Sequence, residues 1–79
     1  MEYNTEKVDE ATLALMWLVT EKDKSGSRAW KNFDWATMDR LHEKGLISDP
    51  KSKAKSVALS DEVVELSKAS FNKLFGGPV

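Results

Sequence analysis

The chain has 79 residues, of which 41% are hydrophobic and 32% charged, and its formal net charge is −1. This length predicts one domain over residues 1–79, with an ordered core from about residue 5 to residue 75. The absence of cysteine excludes disulfides and thiolate metal sites, and the near-neutral charge excludes a global attraction to nucleic acid or membrane.

The longest apolar run extends from Leu13 to Val19, far short of the roughly 18 residues that a membrane span requires. The segment before it is acidic, whereas a signal peptide begins with positive charge. We therefore expect a complete cytoplasmic protein without a membrane segment.

The first predicted helix spans about residues 5 to 21, with Asn4 or Thr5 as its N-cap. At 100° per residue, one face collects five apolar residues, namely Val8, Ala11, Leu15, Leu18 and Val19. Other sides carry Leu13, Met16 and Trp17. An apolar surface nearly all round predicts a central helix that several elements contact.

The connection over residues 22–33 begins with the flexible-looking "KDKSGS" and leaves little room for another helix. Trp30 and Phe33 are expected to lie under the second helix, with Phe33 in the hydrophobic-staple position. One alternative is that Trp30 lines an exposed apolar interface site with Arg28 and Lys31 at its rim. Another is that the aromatic residues, including Trp35, stack on bases.

The second predicted helix begins after Asp34 as N-cap and ends at Lys44, with Gly45 just beyond its end. One face carries Trp35, Met38, Leu41 and His42, and the outward face carries Ala36, Arg40 and Glu43. Residues 34–44 contain three acids against two cations, which disfavours insertion of this helix into a DNA groove.

A β-hairpin is predicted next, with strands "LIS" and "SVAL" and a wing over about residues 46–59. Ile47, Val57 and Leu59 are the expected inward residues. The joining loop carries Lys51, Lys53 and Lys55 with no acid between them. This loop is either a weak phosphate-contacting surface or simply a solvated loop.

The last predicted helix begins after Ser60 and runs to about Phe75, before Gly76, Gly77 and Pro78. Its apolar residues occupy about 180°, whereas a helix that covers one core needs about 100°. Val64, Phe71 and Phe75 lie on the surplus half and predict a partner surface.

Two resemblances accompany these elements. A lysine-tipped loop lies between two short segments, Gly45-Leu46-Ile47 and Val57 through Glu62. With these segments, roughly residues 34–75 resemble a bacterial winged helix-turn-helix domain. This resemblance implies a mainly α fold with a β-hairpin, in the order helix–helix–hairpin–helix.

The whole chain also resembles a family of small bacterial proteins of unknown function. The matching segments run along the chain: Asp9-Glu10-Ala11, Arg28 through Lys31, Phe33-Asp34-Trp35, Asp39 through Gly45, Asp49-Pro50 and Lys53 through Val57. This resemblance implies family membership and no particular activity.

Catalytic chemistry has little support in the sequence. His42 is the only histidine, and a hydrogen-bonded histidine at the core edge is the simpler interpretation than a base or metal ligand. Nucleophile and phosphate-binding motifs are absent. We therefore expect no enzyme activity, no cofactor and no metal.

Two functions remain. The favoured one is a protein-interaction or self-association module, with an interface at Val64, Phe71, Phe75 and Trp30. The alternative is a DNA-binding transcriptional regulator that uses the second helix and the wing, through Arg40, Lys44, Lys51, Lys53 and Lys55.

Overall fold

The computed structural model describes residues 1–77, and within them three helices and three antiparallel strands form a mixed α/β fold. In chain order these are α1 (Thr5–Leu18), β1 (Thr20–Asp23), β2 (Gly26–Trp30), α2 (Trp35–Glu43), β3 (Ser56–Leu59) and α3 (Asp61–Phe75). The order is therefore helix–hairpin–helix–strand–helix, which differs from the expected helix–helix–hairpin–helix. Pro78, expected behind the last helix, lies outside the described residues.

The segment that looked flexible in the sequence forms the tip of a hairpin between β1 and β2. Asp23 pairs with Gly26 across the turn, and the Asp23 carboxylate accepts a hydrogen bond from the Ser25 N–H at 2.7 Å. Gly26 adopts a φ of 117°, which favours glycine. The connection over residues 22–33 is therefore ordered, and it contains two strands that the sequence analysis did not predict, with β2 paired on both sides in the sheet order β1-β2-β3.

The predicted wing strands do not pair with each other as a regular hairpin. β3 pairs instead with β2, and Ser27 lies opposite Leu59. Beside β3, the Ser48 N–H donates to the Ala58 carbonyl at 3.1 Å, while the Ala58 N–H donates to Ser48 Oγ at 2.8 Å. The Ala58 N–H is thus bound by the Ser48 side chain and not by a backbone carbonyl, as it would be between two paired strands. Residues 46–48 are accordingly not a strand.

The inward residues of this region were predicted correctly. Ile47, Val57 and Leu59 are all buried in the core. They meet Leu13 and Met16 from α1 and Met38 and Leu41 from α2, with Ala29 and Val63 completing the cluster.

α1 and α3 pack against the sheet, and α2 packs against α1. α3 runs antiparallel to α1, because Lys73 near its end contacts Glu10, whereas Asp61 at its start contacts Lys22. The molecule measures 35 × 32 × 18 Å, so one dimension accommodates only a helix layer and a sheet. The other face of the sheet and the outer side of the helix layer are consequently open to solvent.

The ends of α2 and α3 confirm the capping pattern in the sequence. Asp34 accepts a hydrogen bond from the Thr37 N–H at 3.0 Å, and Ser60 accepts one from the Val63 N–H at 3.2 Å. Gly45 follows α2 with a φ of 76°. α1 is shorter than expected, since it ends at Leu18 and the chain enters β1 at Thr20.

Two tryptophans were assigned wrongly to the interior. Trp30 is 53% exposed and Trp35 is 57% exposed. Trp30 points outward because its neighbour Ala29 takes the inward position on β2. Phe33, in contrast, does pack against the core. Within residues 1–77, no helix has the length and apolar content needed to cross a membrane.

Candidate functional site

The predicted interface residues on α3 divide into two groups. Val64 is half-buried and packs against the core. Phe71 is also half-buried, and its ring lies 5.0 Å from that of Trp17 and 5.3 Å from that of Phe75. Only Phe75 is largely exposed, at 52%. Two of the three α3 residues that were predicted to contact a partner therefore pack within the domain, Val64 against the core and Phe71 against Trp17.

A second exposed apolar face lies on α1. Val8, Ala11, Leu15 and Leu18 recur at intervals of three, four and three residues, which is the spacing of a coiled-coil seam. Leu15 is 42% and Leu18 60% exposed, whereas Leu13 and Met16 on the opposite side fill the core. Leu15 and Leu18 therefore face solvent, while Val8 and Ala11 in the same row are half-buried, and we call these four residues the α1 seam.

A buried carboxylate joins α1 to α2. Asp9 is 3% exposed, and Arg40 contacts both of its oxygens, with Nε at 2.9 and 3.1 Å. The Lys44 ammonium lies 2.8 Å from Asp9 and 3.1 Å from Glu6. Both cations that the sequence placed on a DNA-reading face are thus ion-paired with α1.

The electrostatics of this cluster agree with its geometry. Burial raises the pKa of Asp9, but hydrogen bonds from Arg40 and Lys44 outweigh that effect and hold the pKa below its ordinary value of 3.8. The hydrogen bonds to Asp9 also raise the pKa of Arg40 and of Lys44. All three groups are therefore charged near neutral pH, and the cluster stabilises the contact between α1 and α2.

Sequence inspection missed Asp9. A signal was present, because Asp9, Leu13 and Met16 follow one another at i, i+4 and i+7 and therefore share a helix face. An acid in line with core residues requires a cationic partner when it is buried. The partner could not be identified, since Arg40 lies 31 residues away.

The loop before β3 presents the three predicted wing lysines to solvent. Lys51, Lys53 and Lys55 are all exposed. Lys31 anchors this loop, because its ammonium donates hydrogen bonds to the carbonyls of Pro50 at 2.8 Å and Ser52 at 2.7 Å. This anchoring brings the lysine-bearing loop to the end of β2, next to Trp30.

Trp30 lines two cavities. One has a volume of about 200 Å³ and is lined by Arg28, Lys55 and Ser56 together with Val19, Ala29 and the acids Glu21 and Asp23. The other has a volume of about 460 Å³ and is lined by Val19, Asn32 and Phe33. The sequence-based alternative of an exposed apolar site with Arg28 at its rim corresponds to this place.

His42 lies on the surface of α2. Its Nδ1 is 3.0 Å from the carbonyl oxygen of Ile47, so the ring links the helix to the segment that follows it. Among residues 1–77, no group of three or more histidine or acidic side chains is arranged to hold a metal ion.

The fold defines the class of this protein as a small α/β domain in which three helices and a three-stranded antiparallel sheet share one hydrophobic core. Residues 4–77 match the family described as Domain of unknown function (DUF6429). The chain belongs to this family.

A relative supports the same assignment. The chain is 51% identical over 75 residues to "Uncharacterized protein y4hR" of Sinorhizobium fredii (strain NBRC 101917 / NGR234), an alignment that covers 95% of this chain and 97% of the relative. No solved structure matches the chain. The resemblance to a family of small bacterial proteins is therefore confirmed.

Proposed function

We propose that this domain is a non-catalytic, cytoplasmic protein-interaction module that self-associates through the α1 seam. The observation that carries the proposal is the exposure of Leu15 and Leu18 in a row of apolar residues with coiled-coil spacing. Large apolar residues grouped on a surface favour an interaction site over a solvated face.

A second copy of the chain is the occupant that the seam fits best. The spacing of three, four and three residues lets an identical helix insert its side chains between those of the first. Two copies related by a twofold axis present the same residues to each other, which is the usual arrangement of a homodimer. The position on the open side of the helix layer leaves room for this contact.

Light scattering across a wide concentration range tests the proposal. We expect the mass to rise from 8.9 kDa toward twice that value. Leu18→Ser removes roughly 1–2 kcal/mol of apolar burial at each of two equivalent positions, so the dimer should weaken by about 100-fold.

The matched control is Leu66→Ser on α3, because Leu66 is 47% exposed and lies outside the α1 seam. It should leave self-association unchanged. Phe75→Ser distinguishes the α1 seam from the exposed end of α3, since it should have little effect. A monomer at all concentrations, or equal disruption by Leu18→Ser and Leu66→Ser, would contradict the proposal.

The alternative of a winged-helix DNA-binding regulator has less support. Reading a major groove with α2 would use Arg40 and Lys44, but both cations are bound to Asp9. The exposed wing lysines are the observation that still favours contact with an anionic partner. Tight binding of duplex DNA that is lost on Arg40→Ala, in a variant that remains folded, would restore this alternative.

A further inference from the structure

The open face of the sheet combines an exposed aromatic ring with positive charge. Trp30 points away from the core on β2, and Ser56 lies opposite it on β3. Arg28, two residues before Trp30 and therefore on the same face, is fixed by hydrogen bonds from Nε to Ser56 Oγ at 2.7 Å and from Nη2 to the Ser56 carbonyl at 2.8 Å. The ring and the guanidinium are thus held side by side by one strand pair.

Lys55 and the lysines of the adjoining loop add positive charge to this region. Lys55 lines the smaller cavity beside Trp30. Lys31 follows Trp30 in the chain and anchors the loop that carries Lys51 and Lys53. Two acids, Glu21 and Asp23, line the same cavity from the side of β1. In this cavity the cation Lys55 therefore lies on the β3 side and the two acids lie on the β1 side.

The larger cavity has a different character. Trp30 and Phe33 supply aromatic surface, Val19 supplies an apolar wall, and Asn32 supplies an amide. An amide side chain can pair with the polar edge of a base, and an exposed indole is a surface on which a base stacks. At about 460 Å³, this cavity is open enough to take an aromatic ring.

We propose that this face binds single-stranded nucleic acid. A base stacks on Trp30 in the cavity with Phe33 and Asn32, and the sugar–phosphate backbone follows the cations of the wing loop and Arg28. This surface differs from the α1 seam, so the inference goes beyond the proposed self-association. Unpaired bases are required, because only a base outside a duplex can offer its face to an indole.

Fluorescence anisotropy with a labelled oligothymidylate of about 15 nucleotides tests the inference on the full chain. We expect binding at low salt that weakens as salt increases. Trp30→Ala should reduce the affinity by about 10-fold, because one stacked base is lost, whereas Trp30→Phe should retain most of it. The matched control is Trp35→Ala, since Trp35 has nearly the same exposure as Trp30 but lines neither cavity.

The charge pattern is tested separately. Replacing Lys51, Lys53 and Lys55 by alanine should lower the slope of log affinity against log salt by about 2, because three phosphate contacts are lost. The control replaces the exposed lysines Lys7, Lys24 and Lys68, and it should leave the slope unchanged. The pair Glu21→Gln and Asp23→Asn should tighten binding, since it removes repulsion of phosphate.

Three results would overturn the inference. One is the absence of binding at low salt by the folded wild type. Another is an equal loss of affinity in Trp30→Ala and Trp35→Ala. The third is equal affinity for oligothymidylate, a matched duplex and heparin, because that outcome indicates a general polyanion surface without base stacking.

Discussion

Asp9 illustrates at the residue scale how a buried charge can join two helices. Its carboxylate is removed from solvent, and it is paired with Arg40 on α2 and with Lys44 at the C-cap of α2, with contacts of 2.8 to 3.1 Å. The network continues through Arg40 Nη2, which donates to Thr37 Oγ1 at 3.1 Å, and from Thr37 to the Asp34 carboxylate at 2.8 Å. α2 is therefore oriented on α1 by polar contacts as well as by its buried apolar residues.

Asp9→Asn should lower the free energy of unfolding at pH 7 by about 2 kcal/mol, because it leaves two cations without their buried partner. The folded-state pKa of Asp9 lies below the ordinary value of 3.8, so ionised Asp9 contributes stability above that value. This contribution is lost as the pH falls through 3.8 toward the lower folded-state pKa. Denaturant titrations at a series of pH values measure both effects.

The control for this prediction is Asp39→Asn. Asp39 is on the same helix as Arg40, and among residues 1–77 it takes part in none of the ion pairs. Its replacement should leave the acid dependence of stability unchanged. If the Asp9→Asn protein retained the full loss of stability below pH 4, other carboxylates would be responsible for it.

At the scale of elements, the end of α2 depends on one glycine. Gly45 has a φ of 76°, and its N–H donates to the His42 carbonyl at 2.9 Å. A Cβ added at this position would meet no atom within 4 Å. Any cost of substitution therefore comes from the left-handed backbone conformation and not from steric overlap with a neighbour.

Gly45→Ala should consequently reduce the free energy of unfolding by about 1 kcal/mol. Gly45→Asn is the matched control, because asparagine adopts the left-handed conformation more readily, and it should cost less than alanine. Thermal or chemical unfolding of the three proteins gives the order directly. Equal stability of the alanine and wild-type proteins would show that the backbone conformation changes at little cost.

α1 shows at the same scale what a helical wheel leaves open. The wheel shows apolar residues on nearly all sides, including the seam with Leu15 and Leu18. The core contains Leu13 and Met16, and the buried Asp9 lies on the same side as these two residues. Trp17, adjacent to this face, covers Phe71. Contacts with residues distant in sequence therefore determine which face of α1 is buried.

At the scale of the whole molecule, the domain is a thin plate. A thickness of 18 Å leaves little interior, so large apolar side chains remain on both broad surfaces. Small domains bury a smaller share of their surface than large ones and are correspondingly less stable alone. A second copy bound to the α1 seam would add buried apolar surface that the chain cannot supply by itself.

The midpoint of thermal unfolding should therefore rise with protein concentration, because only folded chains associate into the dimer. For a domain of this size we expect about 3–5 °C for each tenfold increase in concentration. Calorimetry of the wild type and the Leu18→Ser variant measures the difference, since the variant should show a constant midpoint. A wild-type midpoint independent of concentration would indicate a monomer that unfolds alone.

The sequence by itself determined the features that depend on neighbouring residues. Asp34, Gly45 and Ser60 mark helix ends because capping is a local hydrogen-bond requirement, and Val57 and Leu59 alternate inward because strand geometry has a period of two. The exposure of the loop lysines and the membership of the family were also predicted from the sequence.

Only the tertiary structure decided which strands pair, which face of α1 is buried and where Trp30 points. The charged segment of β1 is a poor strand former alone, and it becomes a strand because β2, stabilised on its other edge by β3, supplies a hydrogen-bonding partner. Asp9 likewise acquires its role only when Arg40 and Lys44 approach from 31 and 35 residues away. Such contacts depend on how the whole chain packs, so local sequence patterns cannot specify them.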